Sequence, residues 1–332
     1  MRHTSATAAL LASAVIGGLG LTPAAHAGAG PSPARAAWVK SCSGSDESTY
    51  PCGRWRLLLR DGSQQAVPDA AATRIDARGG EVRDPAVFAI SADGRTIVYE
   101  RAKDHRLVLR RTAGGATTAL PRSVLPKGVG TDGVAVMLSA DGGRVLVDYT
   151  GEGSVRNSKV IDARTGRTTE VPGKYAPHSF SADGDELLMT RFLSDNTLVM
   201  YSYGLADGHL VKRTPPQVVA NANTYALAAD GRTTAVFVAG DADRNRPPRV
   251  RVYDLATGEL SAGANLPVKS AHGASLARWT TDGRLTAVVA THEEESAAVI
   301  RVLTVDPDSG AVRQTDSYRI SKTRYTYYVA GE

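Results

Sequence analysis

The chain is poor in the residues that mark the commonest specialised classes. It has 2 cysteines in 332 residues, too few for a disulfide-dense scaffold, and aromatics make up only 6%. No Gly-x-Ser-x-Gly elbow, His-Glu-x-x-His pair or phosphate loop occurs, so the usual hydrolase, zinc-peptidase and nucleotide-binding signatures are missing. Beyond the first two dozen residues there is no apolar run near the ~20 residues a spanning helix needs. The net charge of +5 is spread along the chain, so nucleic acid is not expected as a partner. With 42% hydrophobic and 22% charged residues, the composition is that of a globular protein.

The first segment reads as an export signal. Arg2 and His3 form a basic start, an Ala-rich apolar stretch runs from Ala6 to Leu21, and Pro23 breaks it. Ala25-His26-Ala27 then supplies the small-x-small cleavage pattern, so the mature chain is expected to begin at Gly28. The stretch is too short and too rich in Ala and Gly for a membrane anchor. A secreted, extracytoplasmic location follows as an expectation. Arg outnumbers Lys 31 to 8 and Ala is abundant, the composition of a GC-rich bacterial genome. In an oxidising compartment Cys42 and Cys52, separated by a polar loop, are expected to pair. Two thiols with no histidine nearby make a poor metal site.

The chain repeats itself. Ser91-Ala92-Asp93-Gly94 recurs as Ser139-Ala140-Asp141-Gly142 and Ser181-Ala182-Asp183-Gly184, with looser copies at Ala228-Ala229-Asp230-Gly231 and Thr280-Thr281-Asp282-Gly283. The aspartates stand 48, 42, 47 and 52 residues apart. Each copy is followed by an apolar run, a second run, another Gly turn and a short fourth segment; in the second unit these are Val145-Leu146-Val147, Lys159-Val160-Ile161, Thr165-Gly166 and Thr168-Val171. Each unit therefore reads as four short strands, A to D, with Asp-Gly in the A–B turn, where Gly supplies positive φ. The B runs are apolar throughout, as expected of strands buried on both faces. Four-stranded units of 40–50 residues predict an all-β fold, a β-propeller.

Five units span Ala86 to Asp316, and the ends supply a sixth. Trp55–Leu59 and Gln65–Val67 read as strands C and D, Ser317–Ile320 and Arg324–Val329 as A and B. Joined, they predict a six-bladed ring whose closing blade comes from both chain ends, leaving no large open edge. The expected domains are a signal peptide at 1–27, a lead-in with a short disulfide loop at 28–53, and the propeller at 54–332.

The repeat, clearest in Phe180-Ser181-Ala182-Asp183-Gly184, resembles the Phe-Ser-Pro-Asp-Gly repeat of TolB-like and WD40-like propellers across all five full units. Ala stands in place of Pro, the Trp-Asp dipeptide of WD40 repeats is absent, and there is no room before Trp55 for the N-terminal domain TolB uses toward its envelope partners. The resemblance implies the fold and a binding ring.

The Asp-Gly aspartates are turn residues, and Gly follows Asp directly, unlike a sialidase Asp-box. The D–A and B–C connections vary and reach the opposite face, where recognition on a rigid frame usually resides. The D–A connections carry Lys127, Asp132, Tyr175, His178, Asn221, Asn223, Tyr225, Lys269 and His272 around the channel mouth. Of these, Lys127, Asp132, Tyr175, His178, Asn223, Tyr225 and His272 are the candidate binding residues, and no catalytic or metal residue is assigned. The B–C connections add His105, Asp195, Asp241, Asp243 and His292. Asp241-x-Asp243-x-Asn245 opens like a calcium loop but continues with Arg246, Pro247 and Pro248 and ends at Val252 instead of Glu. The expected function is a secreted, monomeric, non-enzymatic propeller, without cofactor or membrane span, that binds a protein, peptide or glycan. The alternative is a channel-mouth enzyme of lyase or lactonase type, with His178, His272 and Asp132 as its candidate groups.

Overall fold

The computed structural model describes residues 32–45, 48–150, 155–241, 244–268, 275–291 and 296–332. The signal segment, its cleavage site, Lys269, His272, Asp243 and His292 lie outside them.

The protein is a six-bladed β-propeller of four-stranded antiparallel sheets. From the channel outward, strands A to D of blade one are Phe88–Ile90, Thr96–Glu100, Leu107–Arg111 and Thr118–Ala119. Blade two is Val134–Leu138, Arg144–Tyr149, Ser158–Asp162 and Thr168–Val171, and blade three is Ala176–Phe180, Glu186–Phe192, Leu198–Gly204 and Leu210–Arg213. Blade four is Thr224–Leu227, Thr233–Val238, Arg249–Asp254 and Ala264–Asn265, and blade five is Ser275–Trp279, Leu285–Thr291, Ala298–Val305 and Val312–Ile320. The B strands pack between neighbouring blades as their apolar sequences require: Ile97, Val98, Val145, Val147, Leu187, Leu188, Ala235, Val236 and Ala287 are fully buried.

The closing blade joins both chain ends, with one correction to its strands. Its order is Arg324–Val329, Ala34–Ser43, Thr49–Leu59, Gln64–Val67. Arg324–Val329 is thus the innermost strand, and Ser317–Ile320 is the tail of blade five's outer strand. The segment expected as a lead-in supplies strand B, with Ala36↔Val329 on one side and Ala36↔Leu58 on the other. Burial explains why: Ala36, Ala37 and Val39 are completely inaccessible and Trp38 nearly so, so this short apolar run is a central strand. Cys42 and Cys52 are bonded across the same hairpin, Cα atoms 5.9 Å apart.

Trp55 anchors the closing blade to blade one. Its ring stacks on Phe88 at 4.6 Å and Tyr328 at 5.7 Å, and its indole N–H donates to Ala71 O at 2.9 Å. A buried ring of this size contributes on the order of 2–3 kcal/mol. A hairpin, Thr73–Ile75 with Glu81–Pro85, forms the connection from the closing blade to blade one. Asp76 shapes its turn by accepting the Arg78 and Gly80 N–H groups. Arg74 fastens it to blade two through the Thr131 and Val134 carbonyls.

Candidate functional site

The Asp-Gly turns are accounted for by their own chemistry. The hydroxyls of Ser91, Ser139 and Ser181 donate to Asp93, Asp141 and Asp183 at 2.6, 2.7 and 2.6 Å. The same hydroxyls accept the N–H groups of Thr96, Arg144 and Glu186, clamping the hairpin. Gly94 and Gly142 are needed twice over. Both have positive φ, and a Cβ there would collide with Ala34 O and with Thr96 of the preceding blade. The motif is therefore both a turn and a contact between blades.

The opposite ends of the inner strands frame the channel. A cavity of about 190 Å³ runs down it, lined among others by His178, Asn223, Tyr225, Met137, Phe180 and Trp279. His178 owes its position to a β-bulge. The blade-three ladder pairs Pro177↔Met189 and then Ser179↔Leu188, leaving His178 unpaired and re-aimed. Its Nε2 lies 2.7 Å from Thr190 Oγ1, and burial pulls its pKa down to about 4. The ring is neutral near pH 7 and meets Tyr225 edge-on at 5.0 Å.

The remaining candidates divide. Asn223 is exposed at the mouth, its own N–H bonded to Phe237 O at 2.9 Å. Tyr225 is buried; its hydroxyl donates to Val219 O and Ala220 O at 2.9 and 3.1 Å, pinning the single helical turn Gln217–Ala220. Tyr175 is also buried, packed at 4.6 Å against Tyr201 in the blade-three core. The Tyr225 hydroxyl is thus bonded within its own loop, while the Tyr175 ring packs into the blade-three core. Lys127 and Asp132 are exposed on the blade-two connection and do not line the channel cavity. The structure thus brings together His178, Asn223 and Tyr225.

His105 belongs to a different cluster. Its Nδ1 lies 2.7 Å from Oε1 of Glu100, a fully buried side chain whose carboxyl is held above the usual range by desolvation. Among the described residues no group of three or more His, Cys, Asp or Glu side chains is placed to hold a metal ion, and no helix is long and apolar enough to cross a membrane.

Arg278 and Trp279 also line the channel, nearer its Asp-Gly end, beside Gly331 and Glu332. The Trp279 indole donates to Ala226 O at 3.2 Å, and the Arg278 guanidinium donates to Ala330 O. A signal for Arg278 exists in the repeat. Two residues before the motif the five units carry Ala89, Met137, Ser179, Ala226 and Arg278, a single charge at a channel-facing phase.

No family model and no curated protein matches the chain. Solved structures share its fold. TolB from Acinetobacter baumannii is 17% identical with a TM-score of 0.51, over 88% of this chain and 64% of that one. A putative TolB from Agrobacterium tumefaciens is 13% identical with a TM-score of 0.48, over 86% and 90%. The acylaminoacyl peptidase of Pyrococcus horikoshii is 14% identical with a TM-score of 0.45, over 84% and 44%. The chain spans 64% of the length of the Acinetobacter protein. In fold the ring is a TolB-like propeller.

Proposed function

We propose that the protein is an extracytoplasmic, non-enzymatic propeller that captures a protein or peptide at the channel mouth on its variable-loop face. The observation that carries this reading is the channel itself. Its volume of about 190 Å³ is below the roughly 300–1,000 Å³ of small-molecule sites and suits one inserted side chain or chain end. At its mouth stand an uncharged imidazole and an exposed amide, His178 and Asn223, groups that recognise by hydrogen bonding and shape. The hairpin 73–85, held to blade two by Arg74, supplies a raised rim. The Asp-Gly repeat supports the same reading through its resemblance to binding propellers.

Export rests on the N-terminal signal pattern ending at Ala27 and on the Cys42–Cys52 bond, which persists in oxidising compartments. Affinity capture from the extracytoplasmic fraction of the producing cells tests the reading. His178→Ala with Asn223→Ala is expected to weaken the captured partner's Kd at least about tenfold. Unchanged affinity in that double variant, with a normal melting temperature, contradicts it.

A further inference from the structure

Arg278 faces a second cavity, between blade five and the closing blade, which opens among the Asp-Gly turns on the face opposite the mouth. Its volume is about 400 Å³, and four arginines line it: Arg35, Arg60, Arg278 and Arg284. One carboxylate, Asp316, shares the wall.

Two of the four cations are already neutralised. Arg35 pairs with Asp316 at 3.1 Å and Arg284 with Asp282 at 2.7 Å. The other two have no carboxylate partner among the described residues. Arg278 is bonded to the Ala330 carbonyl and to Thr286 Oγ1 at 3.3 Å, both uncharged. Arg60 is exposed, and its guanidinium meets no protein acceptor among the described residues. The Thr304 hydroxyl on the same wall is likewise without a protein partner among them.

Ring closure accounts for Arg35 and for the Arg278–Ala330 contact, because both tie blade five to the closing blade. It does not account for Arg60. This second cation repels Arg278 and adds to the burial that already lowers the latter's pKa to about 10. Two guanidinium groups on one cavity wall with no carboxylate partner among the described residues leave a place for an anion that arrives from outside.

We propose that this pocket binds a small dianionic oxyanion, phosphate or a phosphate monoester, held between Arg60 and Arg278. The guanidinium fork presents paired N–H donors at the spacing of two phosphate oxygens. A phosphate monoester near neutral pH carries about 1.5 to 2 negative charges, which matches the two unneutralised arginines. The volume lies within the roughly 300–1,000 Å³ usual for small ligands. The site is independent of partner capture at the mouth.

Isothermal titration of the mature chain with inorganic phosphate, at constant ionic strength, tests this. Saturable binding is expected, weakened at least about tenfold by Arg60→Gln. That variant should not lower the melting temperature of the ligand-free protein, because Arg60's guanidinium holds nothing in place and its charge only opposes that of Arg278. Arg278→Lys retains the charge and loses the fork, and is expected to weaken binding as well. Arg164→Gln, an exposed arginine on the same face at blade two, should leave the affinity unchanged. No saturable heat with phosphate overturns the proposal. So does Arg60→Gln binding as tightly as the parent, or an equal loss in Arg164→Gln, which would reduce the effect to net charge.

Discussion

The guanidinium of Arg35 lies 3.1 Å from the carboxylate of Asp316, an ion pair between residues 281 apart in sequence. The same guanidinium rests over the Tyr318 ring at 5.1 Å, and the Tyr318 hydroxyl donates to Arg35 O at 3.0 Å. Side by side, these contacts latch the strand that starts the ring to the outer strand of the last full blade.

The latch is secondary to the strand it guards. Deleting Arg324 onward removes the innermost strand of the closing blade and the ladder to Ala34–Ser43. Loss of the cooperative thermal transition is expected, because both flanking blades lose their cover. Asp316→Ala, which removes only a partly exposed pair, should cost about 1 kcal/mol in urea unfolding. A truncated chain that melts at the parent temperature contradicts the closure described.

Gly94 has φ +74° and sits against the Ala34 carbonyl of the closing blade. Gly94→Ala is expected to destabilise by more than about 2 kcal/mol, combining backbone strain with a forced separation of blades. Gly166, equally left-handed at φ +72°, has open space where a Cβ would point, so Gly166→Ala should cost only about 1 kcal/mol. Equal losses in the two variants, measured by urea unfolding, would refute the inter-blade role of the motif glycine.

His178 couples stability to pH. Its folded pKa of about 4 lies below the ~6.5 of an unfolded histidine, so the unfolded chain binds the extra proton between those values. The contribution is complete above about pH 6.5, falls on acidification toward pH 4 and levels off below it, at most on the order of 3 kcal/mol. His178→Gln should flatten this part of the urea-midpoint profile. An unaltered profile in the variant would place the titration elsewhere.

Much of the frame is written in the repeat because turn chemistry is local. Ser181 and Asp183 bond within one hairpin, so the spacing of their motif carries the five full units. The channel is less legible, since its partners are distant in sequence. Tyr225 is spent on the carbonyls of a helical turn that no period announces, and the Tyr175 ring packs on Tyr201, in strand C of the same blade. Ala36–Val39 hides as a strand because a single short apolar run beside prolines carries no phase, and its register comes from Val329 at the far end of the chain. Arg278 could be found by aligning the units, where it is the charged residue at an otherwise uncharged position.

The central claim is that capture occurs at the channel mouth, and site-specific photo-crosslinking tests it most directly. A photoreactive residue at Asn223, exposed on the mouth, is compared with one at Arg167, exposed in a C–D turn on the Asp-Gly face. Both are activated in the presence of the extracytoplasmic fraction of the producing cells. Here the account predicts a discrete adduct from position 223, competed by excess unlabelled parent protein and absent from position 167. The same adduct from position 167, with none from position 223, would contradict it.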